Sequence, residues 1–418
     1  MPFVLGAVAL GFKVRPRPAV STRALDLALV ACLIAVAFQL VPLPAGLRTL
    51  LAPAHDAVTR ALFLTGASSP RAISLDPPAT VGALVVGGAL LLLFWTARSV
   101  FAEGGVRTAI RGLAWTGLAL AVVAIVQHGT APRSMFWLWQ PPGRDPSPFG
   151  PFVNRNFLAT WIVMVVPLLV GYALARIKSR QSPSIGVVDA TMLWLVVAAF
   201  LLTATLLLTT SRSGVIGLVA GLALLVSVSR MRLERRQTAW LLTGLALVGV
   251  AVSIYLLNAS ALASRLDETM REGIGGRRTI WRETWAIVRD FWPGGVGLGG
   301  FKRAMLVYQQ SPRDTFFNNA HSEYLQIAVE GGLLVAVPAA LAALLLLREI
   351  VRRLAADRSA MFWVRAGAAA GLFAAGVQSV WEVGLQLPAN AVAAVLLAAI
   401  AVHDAGLRNH FGAPRTMR

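Results

Sequence analysis

Residues 79–97 of the chain, ATVGALVVGGALLLLFWTA, form an apolar stretch without a charged side chain. An α-helix rises about 1.5 Å per residue, so a stretch of this length reaches across the roughly 30 Å hydrocarbon core of a bilayer. Comparable apolar blocks recur along the sequence, which is typical of membrane-spanning helices. The sequence therefore predicts an all-α integral membrane protein, a polytopic bundle of about 10–12 transmembrane helices.

The composition agrees with a membrane protein. Of the 418 residues, 57% are hydrophobic and 14% are charged, and the mean hydropathy is +0.69, outside the soluble globular class. The net charge of +19 could indicate nucleic-acid binding, but most Lys and Arg residues lie in short connectors between apolar blocks. We expect membrane lipid as a partner and no nucleic acid. The single cysteine, Cys32, lies in an apolar run, which excludes a disulfide framework and a cysteine metal site.

The apolar blocks predict ten spans. These are 24–43, 79–97, 107–127, 152–175, 188–210, 213–229, 238–257, 322–347, 361–380 and 388–404. Connectors rich in Lys and Arg are 13–23, 98–111, 176–187, 229–237, 348–365 and the tail 405–418. Ten spans place all six on one side, which the positive-inside rule predicts to be cytoplasmic. Residues 1–12 are too short to predict a span, and they lack the charged leader and cleavage site of a signal peptide.

The remaining connectors are then predicted to lie outside. They are 44–78, 128–151, the turn near 211, 258–320 and 381–387. The 258–320 segment departs from the charge rule, with nine Lys and Arg against six Asp and Glu. Long loops cross the membrane despite their charge, and a bound anion would explain the excess. We predict a single membrane domain over 1–418, with 258–320 as a large periplasmic loop that carries part of the active site.

The sequence Thr210-Ser211-Arg212-Ser213-Gly214 interrupts two long apolar blocks. Arg212 is therefore expected at the outer membrane boundary, where a charge is costly and usually functional. The alternative is an arginine that reaches to lipid head groups. The tight turn leaves the side chain little freedom, which favours function.

Residues 275–285, GGRRTIWRETW, predict a helix over roughly 277–290 that is entered through two glycines. The helical spacing puts three arginines on one face, namely Arg278, Arg282 and Arg289. Trp281 and Trp285 are expected on an adjacent stripe. An arginine row offers planar, charged donors that match phosphate oxygens. The alternative is an amphipathic helix lying on anionic lipid.

Residues 295–300, GVGLGG, match the G-x-G-x-x-G pattern of dinucleotide sites. The dinucleotide interpretation is excluded, because no strand–turn–helix context surrounds the glycines and they lie in the external loop. A turn that returns the chain to the membrane is predicted instead.

His321 closes the large loop in the sequence Asn318-Asn319-Ala320-His321, and the loop holds no other histidine. Near neutral pH, histidine is the side chain best suited to accept a proton from a hydroxyl. A lone histidine is more often structural, but its place at the base of an arginine-rich loop favours catalysis. Two further polar segments are weaker indications of a functional site, because each has an ordinary structural explanation. The asparagines of 154–156 could cap a helix, and Gln378, Trp381, Glu382 and Gln386 are expected to form a solvent-facing polar rim.

In these motifs the chain resembles the O-antigen ligase/polymerase superfamily of bacterial membrane glycosyltransferases. The matching motifs are Asn154-Arg155-Asn156, Ser211-Arg212-Ser213-Gly214, Arg278 through Trp285, Gly297-Leu298-Gly299, Asn319-Ala320-His321 with Tyr324-Leu325-Gln326, and Pro388-Ala389-Asn390. They occur in family order over about 70–404, and the order together with the long external loop is the specific signal. Ser322 stands where an asparagine commonly follows the histidine, and Glu382-Val383 stand where an aspartate–phenylalanine pair is common.

The resemblance implies a GT-C-like fold in the bacterial inner membrane and a metal-independent, inverting transfer without a cofactor. A glycan would move from an undecaprenyl (polyprenyl) diphosphate carrier to an acceptor hydroxyl. The predicted catalytic residues are His321, which takes the hydroxyl proton, and Arg212 and Arg278, which stabilise the leaving diphosphate. The predicted substrate-binding residues are Arg282, Arg277, Asn154, Arg155, Asn156, Asn319, Tyr324 and Trp285.

The acceptor leaves two enzymatic alternatives. A polymerase extends a surface polysaccharide (O-antigen or exopolysaccharide), with a chain-length regulator as a candidate partner, whereas a ligase attaches the glycan to lipid A–core. The Asn-Arg-Asn and Pro-Ala-Asn signatures favour the polymerase. The competing class is a non-enzymatic transporter or flippase, which should carry charges midway through its spans and repeated halves. The charges gather at one face and no repeat is visible, which argues against a transporter.

Overall fold

The computed structural model describes residues 2–14, 22–63, 71–140, 148–179, 190–230, 232, 263–312 and 316–404. Every regular element in these ranges is helical, and the only β pairing within them consists of three isolated bridges. The prediction of an all-α polytopic membrane protein is confirmed. The helices are α1 Pro2–Val14, α2 Arg23–Phe38, α3 Ala45–Leu51, α4 His55–Phe63, α5 Pro77–Ala102, α6 Val106–Thr130, α7 Arg155–Ser179, α8 Ala190–Leu208, α9 Arg212–Ser229, α10 Ala263–Phe291, α11 Phe301–Tyr308, α12 Glu323–Ala356, α13 Met361–Gln378 and α14 Pro388–Val402, with a 3₁₀ turn at Gly384–Gln386.

Nine of the ten predicted spans coincide with a helix. Among the described residues, six helices, α5 to α9 and α12, are long and apolar enough to cross a membrane. The helix α14 is apolar but shorter, at 15 residues. The tenth predicted span, 238–257, lies outside the described residues. Residues 2–12, within the segment judged too short to predict a span, belong to α1.

The centre of the bundle is α7. Its side chains are apolar on all sides, and 83% of its most apolar window is buried, as expected for a helix surrounded by other helices. Its closest neighbour is α13, and small residues make the close approach possible. A Cβ on Gly367 would lie 2.6 Å from the Pro167 carbonyl oxygen, and one on Gly171 would collide with the Trp363 carbonyl. Because α7 and α13 meet along their lengths, the segments at their ends are brought together.

The predicted outer connectors 44–78 and 258–320 share one apolar core. Ile73 from the first connector and Phe291 and Phe301 from the second are fully buried in it. Together they form a cap on one end of the bundle. The glycine motif 295–300 joins this cap to α12, as predicted for a returning turn.

The returning turn is held by backbone hydrogen bonds to a kink in α12. Val296 N donates to Val329 O at 3.0 Å, and Gly297 N donates to Glu330 O at 3.0 Å. Gly295 has φ +73°, a left-handed conformation that favours glycine, and a Cβ there would collide with the Glu330 carbonyl. The glycines are therefore required by backbone geometry rather than by a nucleotide.

The basic connectors meet at the other end of α13. Arg365, near the start of α13, pairs with Asp357 at 3.0 Å and donates to His403 O at 2.9 Å. The His403 ring in turn contacts Phe101 edge-on, with 6.1 Å between ring centroids. The connectors 98–111 and 348–365 and the start of the tail region thus lie together, as the predicted topology requires.

Candidate active site

A buried carboxylate lies where the cap meets the bundle. Glu382 is 1% exposed and belongs to the short link between α13 and α14. Its Oε2 accepts a hydrogen bond from Asn156 Nδ2 at 2.6 Å, and its Oε1 accepts from Val383 N at 3.3 Å. The link is pressed onto α7, because Gly384 leaves no room for a Cβ beside the Thr160 side chain. This close contact fixes Glu382 next to the first turn of α7.

His321 faces the same carboxylate. Its Nδ1 lies 3.6 Å from Glu382 Oε1, and its side chain remains 31% exposed. Within the described part of the chain, Nδ1 is buried and has no hydrogen-bond partner, since 3.6 Å is an ion-pair distance but longer than a hydrogen bond. Contacts of catalytic groups are often long in the unliganded state and shorten in the substrate complex. The arrangement leaves the other ring nitrogen, Nε2, available to a substrate.

The backbone at His321 is in the left-handed region, with φ +48°. Non-glycine residues rarely adopt this conformation, and it persists only where surrounding contacts require it. His321 N donates to Asn319 Oδ1 at 3.1 Å. Asn319, a predicted substrate-binding residue, therefore helps to shape the turn that presents the histidine.

Arg277 supplies a positive charge at the carboxylate. Its Nη2 lies 3.9 Å from Glu382 Oε2, and its side chain is 36% exposed. A buried carboxylate without partners costs several kcal/mol, on the order of the desolvation of one ion. Arg277, Asn156 and His321 together offset that cost. A cation, an amide and an imidazole thus converge on one carboxylate.

The turn that carries Arg212 is tied to the same end of α7. Arg155 Nη1 donates to Thr210 Oγ1 at 2.6 Å, and Thr210 has φ +55°. Ser211 caps α9 by accepting from Gly214 N at 3.3 Å. Arg212 is the first residue of α9, and its side chain is exposed. Adjacent residues of α7, Arg155 and Asn156, therefore connect the Arg212 turn with Glu382.

The predicted helix over 277–290 is present, but it begins earlier, at Ala263, and passes through both glycines. The arginine row is confirmed as one exposed face, made of Arg278, Arg282 and Arg289. Trp285 lies on this same face and is 62% exposed.

Trp281 lies four residues before Trp285, on the stripe beside the arginine face, and its side chain is half-buried. Its indole nitrogen points into the cap and donates to Ala320 O at 3.0 Å. The two tryptophans therefore differ in exposure, because the apolar core of the cap sets the rotation of α10.

Two other predicted substrate-binding residues make structural contacts. Asn154 Oδ1 accepts from Asn156 N at 2.8 Å at the start of α7, in agreement with the helix-cap alternative. Tyr324 is 56% exposed, and its hydroxyl donates to Gly376 O at 2.8 Å. This bond ties α12 to α13 beneath the site.

The sequence predicted a solvent-facing polar rim around residue 382, and this prediction is wrong for Gln378 and Glu382. Gln378 and Glu382 are each 1% exposed, and Asn390 is fully buried. Gln378 Nε2 donates to Asn156 O at 3.3 Å, and Asn390 Nδ2 donates to Phe157 O at 2.9 Å. Sequence reasoning did not give Glu382 a role. The available signal was an acidic residue in a short link between two apolar spans.

Among the described residues, no group of three or more His, Cys, Asp and Glu side chains is arranged to hold a metal ion. The cations around Glu382 and the Arg212 turn are arginines, which match phosphate oxygens in bidentate geometry.

Comparison with known proteins supports the resemblance. Residues 197–340 match the family model Wzy_C, described as O-Antigen ligase. The matched segment includes Arg212, the arginine face of α10 and His321, and it ends before Glu382. No curated protein matched the chain. The predicted similarity to the O-antigen ligase/polymerase superfamily is confirmed over this segment.

Proposed function

We propose that this protein transfers a glycan from a polyprenyl-diphosphate carrier to an acceptor hydroxyl, with His321 as the general base. The observation that carries the proposal is the placement of His321 against the buried carboxylate of Glu382, at 3.6 Å. A carboxylate behind a histidine orients the imidazole and stabilises the imidazolium that forms when the ring takes a proton. The family match supports the glycosyltransferase class.

The reaction is written as a single displacement. His321 Nε2 takes the proton of the acceptor hydroxyl as the acceptor oxygen bonds to the anomeric carbon. The bond from that carbon to the diphosphate oxygen breaks on the opposite face, and the diphosphate leaves with the electron pair. Attack opposite the leaving group inverts the anomeric configuration. The Glu382 carboxylate lies next to the imidazolium and stabilises it.

The leaving diphosphate gains negative charge as the bond breaks, so fixed cations lower the barrier. We assign this role to Arg212 and Arg278, whose side chains are exposed at the site end of the bundle. Arg282 lies one turn further along α10. An arginine guanidinium can donate two parallel hydrogen bonds, and so bind two oxygens of one phosphate.

Arg212→Lys and Arg278→Lys are expected to lower kcat/KM roughly tenfold to a hundredfold each, the cost of one or two charge-assisted hydrogen bonds. Lysine keeps the charge but loses the planar fork. Steady-state transfer by purified protein in lipid nanodiscs provides the measurement. Arg289→Lys, on the same face of α10, is the matched control and should behave like the parent. Parent-like rates for both site variants would contradict the phosphate role. Addition of a chelator or divalent metal should change little.

For the acceptor, we favour a growing surface polysaccharide, and hence a polymerase. The Asn-Arg-Asn signature supports this choice, since Asn156 and Arg155 form part of the site. The alternative is a ligase that uses lipid A–core, which the description of the matched family as O-Antigen ligase favours. A deletion strain separates the two. We expect single repeat units that are still attached to their acceptor, whereas unattached full-length chains would identify a ligase.

We further propose that the site faces the periplasm from the bacterial inner membrane. The basic connectors 98–111 and 348–365 lie at the end of α13 opposite to Glu382, as the positive-inside rule requires for this orientation. In a Cys32→Ser background, a cysteine at exposed position 289 should react with a periplasmic thiol reagent, and one at exposed position 103 should not. The reverse pattern would invert the topology.

A transporter or flippase remains the competing class. It should carry charged side chains midway through its spans, where they would contact a moving substrate. The charges around Glu382 lie instead at the start of α7, in a connector and on α10, a helix of the cap, which supports a fixed external site.

A further inference from the structure

The peptide group that precedes His321 is held at both ends. Trp281 Nε1 donates to Ala320 O at 3.0 Å, and the N–H of the same peptide group, on His321, donates to Asn319 Oδ1 at 3.1 Å. A planar peptide whose carbonyl and N–H are both fixed cannot rotate. The direction in which His321 leaves the backbone is therefore set by these two bonds.

A third bond fixes the residue before the histidine. Ala320 N donates to Gln326 Oε1 at 2.7 Å, and Ala320 is fully buried. Gln326 is itself oriented, since its Nε2 donates to Glu330 Oε1 at 2.9 Å. That carboxylate also accepts from Phe301 N at 3.3 Å. The amide oxygen of Gln326 is therefore aimed at Ala320 by the backbone of the cap.

The left-handed backbone of His321 requires such support. A non-glycine residue with φ +48° lies in a sparsely populated region that costs on the order of 1–3 kcal/mol. Without the bond from Trp281, the peptide could relax toward an extended conformation, and the imidazole would leave Glu382. The bonds around Ala320 stabilise the position of the base rather than its chemistry.

We infer that Trp281 is a positioning residue that couples the arginine helix to the general base. Trp281 lies one turn along α10 from Arg277 and beside Arg282, so one rigid helix carries both Arg278, which is proposed to bind the diphosphate, and the donor to Ala320 O. The base and Arg278 are thereby held at a fixed separation. This inference rests on the proposed function, because it assigns Trp281 a role only if His321 acts in transfer.

The test is Trp281→Phe, which keeps an aromatic ring in the cap and removes the indole N–H. We expect kcat to fall roughly threefold to tenfold, the effect of one neutral hydrogen bond, with the KM for the lipid-linked donor unchanged. Gln326→Met removes the acceptor for Ala320 N at similar side-chain volume. It should likewise lower kcat and leave the donor KM unchanged. Trp292→Phe is the matched control. It makes the same chemical change at the end of α10, at a side chain that is 53% exposed, and should leave kcat at the parent value.

The deciding comparison repeats Trp281→Phe in a His321→Ala background. A positioning residue has nothing left to position there, so no further loss is expected. An equal loss in both backgrounds, a raised donor KM, or an unchanged kcat in Trp281→Phe would overturn the inference while the role of His321 stood. A fully active His321→Ala protein would instead remove the proposed function itself. The two failures are therefore distinguishable.

Discussion

His321→Ala is expected to lower glycan transfer roughly a hundredfold to ten-thousandfold, the usual cost of removing a general base. The acceptor hydroxyl would then have no group to take its proton, whereas Arg212 and Arg278 would still hold the diphosphate. Donor binding should therefore persist. Transfer and donor binding are measured separately on the same purified protein in nanodiscs, with Arg212→Ala as the contrasting variant that weakens binding.

Conservative variants test whether His321 acts only through packing. His321→Asn and His321→Gln keep a polar side chain of moderate size, and both should be as inactive as the alanine variant. A helix-capping role is already excluded by geometry, since Ser322 is the N-cap of α12 and its hydroxyl accepts from Leu325 N at 3.5 Å. Near-normal transfer by any of the three variants would remove the catalytic assignment.

Glu382→Gln should lower kcat by roughly a hundredfold to ten-thousandfold, by analogy with removal of the carboxylate behind a catalytic histidine. The amide keeps the shape and can still accept from Asn156, but it cannot stabilise a charged imidazole. It also leaves Arg277 with one fewer partner. Steady-state kinetics give the expected signature, a lower kcat with an unchanged donor KM.

Two variants control for the loss of a buried carboxylate as such. Glu382→Asp keeps the charge and restores the acidic residue common at this position in the superfamily, so it should retain substantial transfer. Glu283→Gln removes another buried carboxylate, one that accepts from Ser311 N at 2.9 Å in the cap, and should leave kcat near the parent value. If Glu382→Gln were as active as the parent, Glu382 would be a structural residue only.

The sequence predicts the helices well because the membrane imposes a local rule. A span must be apolar over its whole length, and that property is visible in any window of the chain. The start of α10 could not be predicted in the same way. Glycine disfavours a helix by only about 1 kcal/mol, and packing of the cap around Phe291 outweighs that penalty.

The site was predictable in part. His321 and the arginine face follow from residue type and helical spacing, both of which are local. The orientation of Trp281 depends on which face of α10 enters the cap, and Ile287 and Phe291, both fully buried, set that rotation. Glu382 depends on contacts between distant segments. Its place beside Asn156 and His321 is a product of helix packing, which no short pattern encodes.

The carboxylate also determines when the site can exist. Asn156 and Glu382 are 226 residues apart in the chain. At a synthesis rate of about 5–20 residues per second, on the order of ten to fifty seconds separate their emergence from the ribosome. During that interval the arginines of α10 and then His321 are synthesised, but the Glu382 carboxylate that they contact is not yet part of the chain. The nascent protein therefore passes through stages that hold the cations and the base without their counter-charge. On the proposed mechanism, transfer begins only after α13 and the link that carries Glu382 have been synthesised.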